Sequence, residues 1–311
     1  MKFINPWHFI CGFLMGMADS VPGISGGTVA LILGIYERLV TAISHCDTSF
    51  FRLFFTGKWF QAARHIDLLF LVTLLCGIGG GIACFSHLVV HLLDHYLVGT
   101  FAAFFGLILA SVLFIFRNLH AKNIAAFGAI FIGACLGWWV VGLDTLSGSE
   151  SLPYVFLTGM IAICAMILPG ISGAYILLVL GNYYMILQKV KSVVSLNASA
   201  ADFFILLTFA VGCFLGLVCF SKILKWLLKH FHNITLALLC GCMLGSLRCL
   251  YPFQKMVKDV HGKPDFVMIP QNSITTTDYL TAGVAVVGGF LLVIFLELLV
   301  VKLTKKKSSS K

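Results

Sequence analysis

The sequence predicts an all-α polytopic membrane protein built from two inverted repeats, each a re-entrant helix hairpin followed by three transmembrane helices. Three observations predict it. The composition suits a chain immersed in lipid: of 311 residues, 60% are hydrophobic and 11% charged, with a mean hydropathy of +1.02. A soluble domain carries about 25% charged residues, which cover its wet surface. The apolar residues gather into eight segments, and the first four can be laid on the last four. The leading segment of each half carries the same interruption, Pro-Gly-Ile-Ser-Gly.

The first segment, 7–40, is too long for one ordinary span and too broken for two. Residues 7–21 would make about 22 Å of helix, short of a hydrocarbon core of about 30 Å. Pro22 stops the helix, and the glycines beside it favour irregular backbone. A re-entrant hairpin fits, with a tip tolerable only when buried in protein or lining a wet cavity. The stretch from Trp7 to Met17, preceded by Lys2, resembles a secretion signal, but no small-x-small cleavage pattern follows it, so it is expected to stay. Spans 66–93, 98–117 and 123–143 complete a first repeat over 1–147. The second repeat, 148–311, has a hairpin at 152–187 broken at Pro169 and spans at 203–228, 234–250 and 278–303. The long gaps are 41–65 and 251–277, and the second, the more polar, suits an ordered or mobile extramembrane loop.

Laying Pro22 on Pro169 brings Gly12, Gly23, Ser25, Gly26, Gly34 and Tyr36 onto Gly159, Gly170, Ser172, Gly173, Gly181 and Tyr183. At a second constant offset Thr73, Gly77, Gly81, Phe85, Ser86 and His95 meet Thr208, Gly212, Gly216, Phe220, Ser221 and His230. Thr100, Gly106 and Ser111 continue that series onto Thr235, Gly241 and Ser246, while Gly128 and Gly133 match Gly283 and Gly288 more weakly. One register held over so many positions marks a duplication.

Charge sets the orientation. With a cytoplasmic N-terminus and two hairpins, fifteen of the 21 Lys and Arg fall inside and six outside. Full crossings at both leading segments would put nine inside and twelve outside, against the positive-inside rule. Each repeat then crosses three times, so the halves are inverted and both termini are cytoplasmic. The net charge of +9 sits in the short gaps and at Lys305–Lys307, which reads as membrane orientation and excludes a nucleic-acid face. Most of the eleven cysteines lie within apolar segments without a C-x-x-C pair. They read as packing residues, and neither a disulfide framework nor a metal is expected.

Broken helices in inverted repeats are the pattern of secondary transporters, with the site near the bilayer midplane. Each break precedes a helix start, where unpaired N–H groups and the positive dipole end favour an anion. The phosphate-binding candidates are the backbone of Gly23, Gly26, Gly27, Gly170 and Gly173 with the hydroxyls of Ser25, Thr28 and Ser172; Pro22 and Pro169 make the breaks. The bland alternative is a pair of tight hairpins with N-cap serines. Two copies in register, inside apolar segments, favour a site. Ionisable groups within a membrane are rare and usually functional. Asp19 is a candidate to carry a coupling proton, bind Na⁺ or pair with Arg38. Glu37 is a second coupling candidate, with an interfacial salt bridge as its structural alternative. Arg38 is the preferred cation for a phosphate, since its fork engages two oxygens. His87, His91 and His95 recur at helical spacing, but their repeat partners Lys222, Trp226 and His230 keep no metal set, so they read as a cationic rim. Arg117 and Arg248 end equivalent helices and read as snorkelling side chains.

Gly16-Met17-Ala18-Asp19-Ser20-Val21-Pro22-Gly23-Ile24-Ser25-Gly26-Gly27-Thr28, followed by Gly34-Ile35-Tyr36-Glu37-Arg38, resembles the PopT family of bacterial polyprenyl-phosphate translocases. Leu168-Pro169-Gly170-Ile171-Ser172-Gly173 followed by Gly181-Asn182-Tyr183 matches its second hallmark, and the likeness spans nearly the whole chain. The resemblance implies return of undecaprenyl phosphate from the outer to the inner leaflet, without a bound cofactor. The expected partners are that lipid phosphate and the surrounding membrane lipids, and a homo-oligomer stays open. Alternating access about the two breaks would accomplish the return. The rivals are a transporter of a small soluble anion and an intramembrane lipid-phosphate enzyme. The enzyme would need a nucleophile with an activating base or a metal, and no such set stands at the breaks.

Overall fold

The computed structural model describes residues 6–20, 25–119, 123–258, 264–270 and 273–308. Pro22 and Gly23 lie outside them. The first half runs α1 (Pro6–Asp19), α2 (Gly26–Ile32), α3 (Tyr36–Ser44), α4 (Thr48–Phe55), α5 (Trp59–His65), α6 (Leu68–His95), α7 (Leu97–Asn118) and α8 (Ile124–Val141). The second runs α9 (Leu152–Ile167), α10 (Gly173–Val179), α11 (Tyr183–Val194), α12 (Ala200–His230), α13 (His232–Ser246) with a 3₁₀ turn at Leu247–Leu250, and α14 (Thr276–Ser308). Among the described residues six helices are long and apolar enough to cross a membrane: α6, α7, α8, α12, α13 with its 3₁₀ turn, and α14. They fall within a few residues of the expected spans, because a long apolar run has no other way to satisfy its backbone in lipid.

One expectation needs correction. The chain is nearly all-helical rather than all-α, since β1 (Gln254–Lys258) and β2 (Pro264–Met268) pair antiparallel with Gln254 opposite Met268. They occupy the polar 251–277 gap, where the chain leaves the apolar spans and a sheet edge is permissible. The 41–65 gap is also folded, as the end of α3 and the short helices α4 and α5. Asp47 caps α4 by accepting from Phe50 N at 2.9 Å, and it stands 3.1 Å from His65 Nε2. Burial works to raise the Asp47 carboxyl, but its bonds to the Phe50 N–H and to His65 outweigh that and hold it below the usual carboxylate range.

The short helices after each break end alike. Gly34 at φ +69° and Gly181 at φ +74° supply the left-handed residue that closes a helix. In α2, Gly34 N donates to Leu31 O at 3.2 Å and Ile35 N to Ala30 O at 3.0 Å. In α10, Gly181 N donates to Leu178 O at 2.8 Å and Asn182 N to Leu177 O at 3.1 Å. The chain turns sharply at the first of these closures, and α2 and α3 differ in direction by 117°.

Four helix pairs carry the packing, and glycine lies in each seam. A Cβ at Gly12, Gly16, Gly77 or Gly81 would fall within 3 Å of a backbone oxygen across the α1–α6 seam. Gly159, Gly212 and Gly216 stand likewise between α9 and α12, Gly106 and Gly289 between α7 and α14, and Gly133, Gly137, Gly241 and Gly245 between α8 and α13. In hydrocarbon, water expulsion does not drive helices together, so close backbone approach at small residues supplies the attraction. Thus α1 packs on α6 as α9 packs on α12, and the third span of each half packs on the second span of the other. The α14 seam falls on Gly289; a Cβ at Gly283 or Gly288, the expected repeat partners, would meet no atom within 4 Å. Several buried Ser and Thr side chains donate to their own helices, as Ser111 does to Leu107 O at 2.7 Å and Thr158 to Tyr154 O at 2.7 Å.

Candidate functional site

The end of α9 sets the geometry. Its last carbonyls lose their intrahelical donors because Pro169 has no N–H and the chain leaves the helix there. The first half supplies the missing donors. Ser25 Oγ donates to Met166 O at 3.1 Å and Tyr36 OH donates to Ile167 O at 3.1 Å. In return Gly170 N donates to Thr28 Oγ1 at 3.0 Å. The two breaks therefore meet, and among the described residues three hydrogen bonds join them directly.

Contact this close needs glycine. A Cβ at Gly27 would lie 2.9 Å from Ile167 O, and one at Gly173 would lie 2.7 Å from Ala162 O. Gly170 adopts φ +88°, and a Cβ there would lie 2.8 Å from Met243 Cα on α13. Ser25 and Thr28 are fully buried, and Pro169 and Gly170 are buried with them, whereas Ser172 and Gly173 are half-buried. Ser172 precedes α10 without a side-chain capping bond. The two breaks are thus chemically unequal.

At the start of α2 the donors expected to meet an anion already have partners. Gly26 N donates to the Asp19 carboxylate at 2.6 Å, Gly27 N to Ser25 Oγ at 3.2 Å and Thr28 N to Ser25 O at 2.9 Å. Asp19 is the last residue of α1, so the break folds its carboxylate onto the beginning of the next helix. The protein's own anion stands where the sequence leads one to place the phosphate.

Arg38 and Glu37 lie elsewhere. Arg38 Nη2 stands 2.7 Å from Asp67 Oδ2, its Nε donates to the same oxygen at 2.8 Å, and its Nη1 meets His8 Nε2 at 2.8 Å. Its guanidinium also covers the Phe70 ring, 4.3 Å from the centroid. Glu37 pairs with His232 at 2.7 Å. His8 and Asp19 are both on α1, and eleven residues of helix separate them by about 16 Å. Arg38 therefore sits at the entrance of α1, far from the breaks, and the Asp19–Arg38 pair is not formed. Of the expected cluster, the structure gathers Asp19, Ser25, Gly26, Gly27, Thr28 and Gly170, and leaves Arg38 and Glu37 apart.

The Arg38 junction also ties the chain together. It joins the first turn of α1 to Asp67, immediately before α6. The second half has a comparable junction: Lys189 on α11 meets Asp202 at the start of α12 at 2.7 Å and Glu150, just before α9, at 3.8 Å. Arg248 stacks 4.8 Å over the Trp138 ring and reaches Trp138 O, so it closes the end of α8 rather than merely snorkelling.

Sequence reasoning passes over Tyr36, His8, Asp67 and His232. Tyr36 gives a signal, since it coincides with Tyr183 in the repeat. Asp67 gives another, as the one acid between Thr48 and Leu93.

The chain is similar, over residues 15–264, to the VCA0040-like family, described as undecaprenyl phosphate translocase-like. It is 36% identical over 274 residues to a polyprenyl-phosphate transporter of Vibrio cholerae serotype O1, covering 88% of this chain and 86% of that protein. It is 35% identical over 264 residues to a polyprenyl-phosphate transporter of Staphylococcus aureus, covering 81% of this chain and 87% of that one. No solved structure matches it.

Proposed function

Since the chain belongs to the undecaprenyl phosphate translocase-like family, we propose that it returns undecaprenyl phosphate from the outer to the inner leaflet of the bacterial cytoplasmic membrane, so that the carrier can be used again. It is a multi-pass membrane protein and a transporter rather than an enzyme. The observation that carries the reading is the meeting of the two breaks, Ser25 and Tyr36 on the end of α9 and Gly170 on Thr28. A lipid phosphate is an anion on a long apolar tail. A headgroup site between two breaks, opening sideways to lipid, would suit both.

In this reading the segments 7–40 and 152–187 are re-entrant and enter from opposite faces, as halves of an inverted repeat. The junctions at Arg38 and Lys189 support it, because each joins the start of a leading segment to the start of the span that follows. The reciprocal glycine seams, α1–α6 with α9–α12 and α7–α14 with α8–α13, support the duplication. Both termini are then cytoplasmic.

Alternating access follows as the mechanism. When the breaks part, Ser25, Gly26, Gly27, Thr28, Gly170, Ser172 and Gly173 are released from one another, and with Gly23 they offer N–H and O–H donors to the phosphate. The phosphate takes the position that the Asp19 carboxylate holds here. Asp19 couples the exchange to H⁺ or Na⁺: protonation or ion binding weakens its claim on Gly26 N, so the anion and the coupling cation enter together.

The test uses liposomes containing undecaprenyl phosphate and purified protein, with a membrane-impermeant phosphatase outside. The reading expects the enclosed leaflet's lipid to become accessible within minutes. Hydrolysis that stops at the outer-leaflet fraction, as in protein-free vesicles, overturns it.

A further inference from the structure

Beside the Arg38 junction the structure has a cavity of about 360 Å³, formed where α3, α5 and the start of α6 come together. The basic residues Arg38, His45, Arg64 and His65 line it together with the acidic residues Glu37 and Asp67. It is separate from the breaks, which lie about 16 Å deeper along α1. Resting on the transport reading above, we propose that this cavity is a second headgroup station, which takes the phosphate monoester of the polyprenyl lipid at the cytoplasmic surface, after the breaks release it.

The charges around the cavity leave room for an anion. Each lining acid is already committed: Asp67 to Arg38, and Glu37 to His232. Asp47, which faces His65 from below α4, is committed likewise. Arg64 has no carboxylate partner among the described residues; its guanidinium lies 4.6 Å over the Phe60 ring and keeps its donors. Asp67 occupies the position before α6 but gives that helix no side-chain cap, and it adopts φ +51°. A non-glycine residue in that region is strained. Its carboxylate is paired with Arg38, so Asp67 is a positioning residue that fixes the Arg38 guanidinium beside the cavity. His45 and His65 stack with ring centroids 4.9 Å apart, and His45 Nδ1 meets His65 O at 2.8 Å, which fixes both rings in the wall. Two arginines lining one cavity supply the forked donors that phosphate oxygens accept.

The chain leading into α5, which carries Arg64 and His65, explains why the anion should be a lipid. α4 buries no residue at all, and Phe54, Phe55, Trp59 and Phe60 stand exposed along α4 and α5, with exposed Arg52 and Lys58 in the same stretch. Aromatic rings mixed with basic side chains are what the headgroup region of a bilayer accommodates. A headgroup in the cavity would leave its tail running past these rings into the inner leaflet.

Hydrogen–deuterium exchange on the full-length protein in nanodiscs tests the site. Adding undecaprenyl phosphate is expected to slow exchange of the amides in 59–67, and Arg64→Gln is expected to raise the half-saturating concentration about tenfold, with Arg64→Lys intermediate. Inorganic phosphate alone should protect the same segment, at far higher concentration. An R64Q protein with an unchanged melting temperature rules out misfolding as the cause. Equal protection by inorganic phosphate and by the lipid overturns the lipid assignment. Equal protection by phosphatidylglycerol overturns the preference for a monoester. Protection confined to 19–28 and 166–173, in protein that still exchanges the lipid between leaflets, sinks the second station and leaves the transport reading standing. Protection at 59–67 without leaflet exchange does the reverse.

Discussion

Asp19 has an oxygen 2.6 Å from Gly26 N, and that single bond states the problem of holding and releasing an anion at depth. The carboxylate satisfies a helix start that would otherwise be unpaired where no water can reach it. Replacing it by a neutral acceptor separates shape from charge. Asp19→Asn keeps an oxygen for Gly26 N, so the protein should lose no more than about 1 kcal/mol. Its leaflet exchange should lose its dependence on pH and on Na⁺, measured in the liposome assay with and without a gradient. An unchanged dependence on both removes Asp19 from coupling. The identity of this residue is legible in the sequence as an acid in an apolar segment three positions before Pro22, but its partner is not. The partner depends on how the chain folds back after Asp19, and no spacing reveals that α2 begins against its own preceding carboxylate. Arg38 escapes the sequence for a similar reason. Its place follows from the closure of α2 at Gly34 and the 117° turn into α3, and Gly34 is both a repeat marker and a helix terminator.

Among the elements, the spans are legible because length and apolarity decide them. The short elements are not. α4 and α5 have eight and seven residues, too few for periodicity to speak, although Asp47 ahead of Thr48 is a visible N-cap signal. β1 and β2 lie in a stretch whose polarity announces only a loop. The helix seams carry the prediction at this scale. Gly106 and Gly289 each leave no room for a Cβ, which would meet the backbone oxygen of Val286 or Ala103. Gly106→Val or Gly289→Val should therefore cost about 3 kcal/mol and be seen as a lowered melting temperature or loss of monodisperse protein in detergent. Gly283→Ala and Gly288→Ala meet open space and should stay within about 1 kcal/mol of the parent. If Gly288→Ala proved as damaging as Gly289→Val, the α7–α14 seam would be wrongly registered. The one-residue difference from the sequence alignment also shows the limit of glycine matching: adjacent glycines such as Gly288 and Gly289 look alike in sequence, and only packing tells which one faces the neighbour.

In the molecule as a whole, interlocked halves surround a lightly held contact. The third span of each half packs on the second span of the other, and the leading segments meet through Ser25, Thr28, Tyr36 and Gly170. A scaffold held at four glycine seams gives the breaks a rigid frame, while among the described residues three hydrogen bonds join the breaks, each worth about 1 kcal/mol net. That balance lets the contact open without unfolding the protein, and the inverted arrangement would let it open toward either face. Ser25 is 2% exposed in this closed arrangement, so it reports opening cleanly. The decisive measurement places a thiol there, Ser25→Cys in a background freed of the native cysteines, and follows its reaction with a membrane-impermeant reagent applied from one side of the membrane and then from the other. Alternating access predicts slow labelling from both sides, reduced in each case by undecaprenyl phosphate. Labelling from one side only, or from neither while the lipid still exchanges, would contradict it.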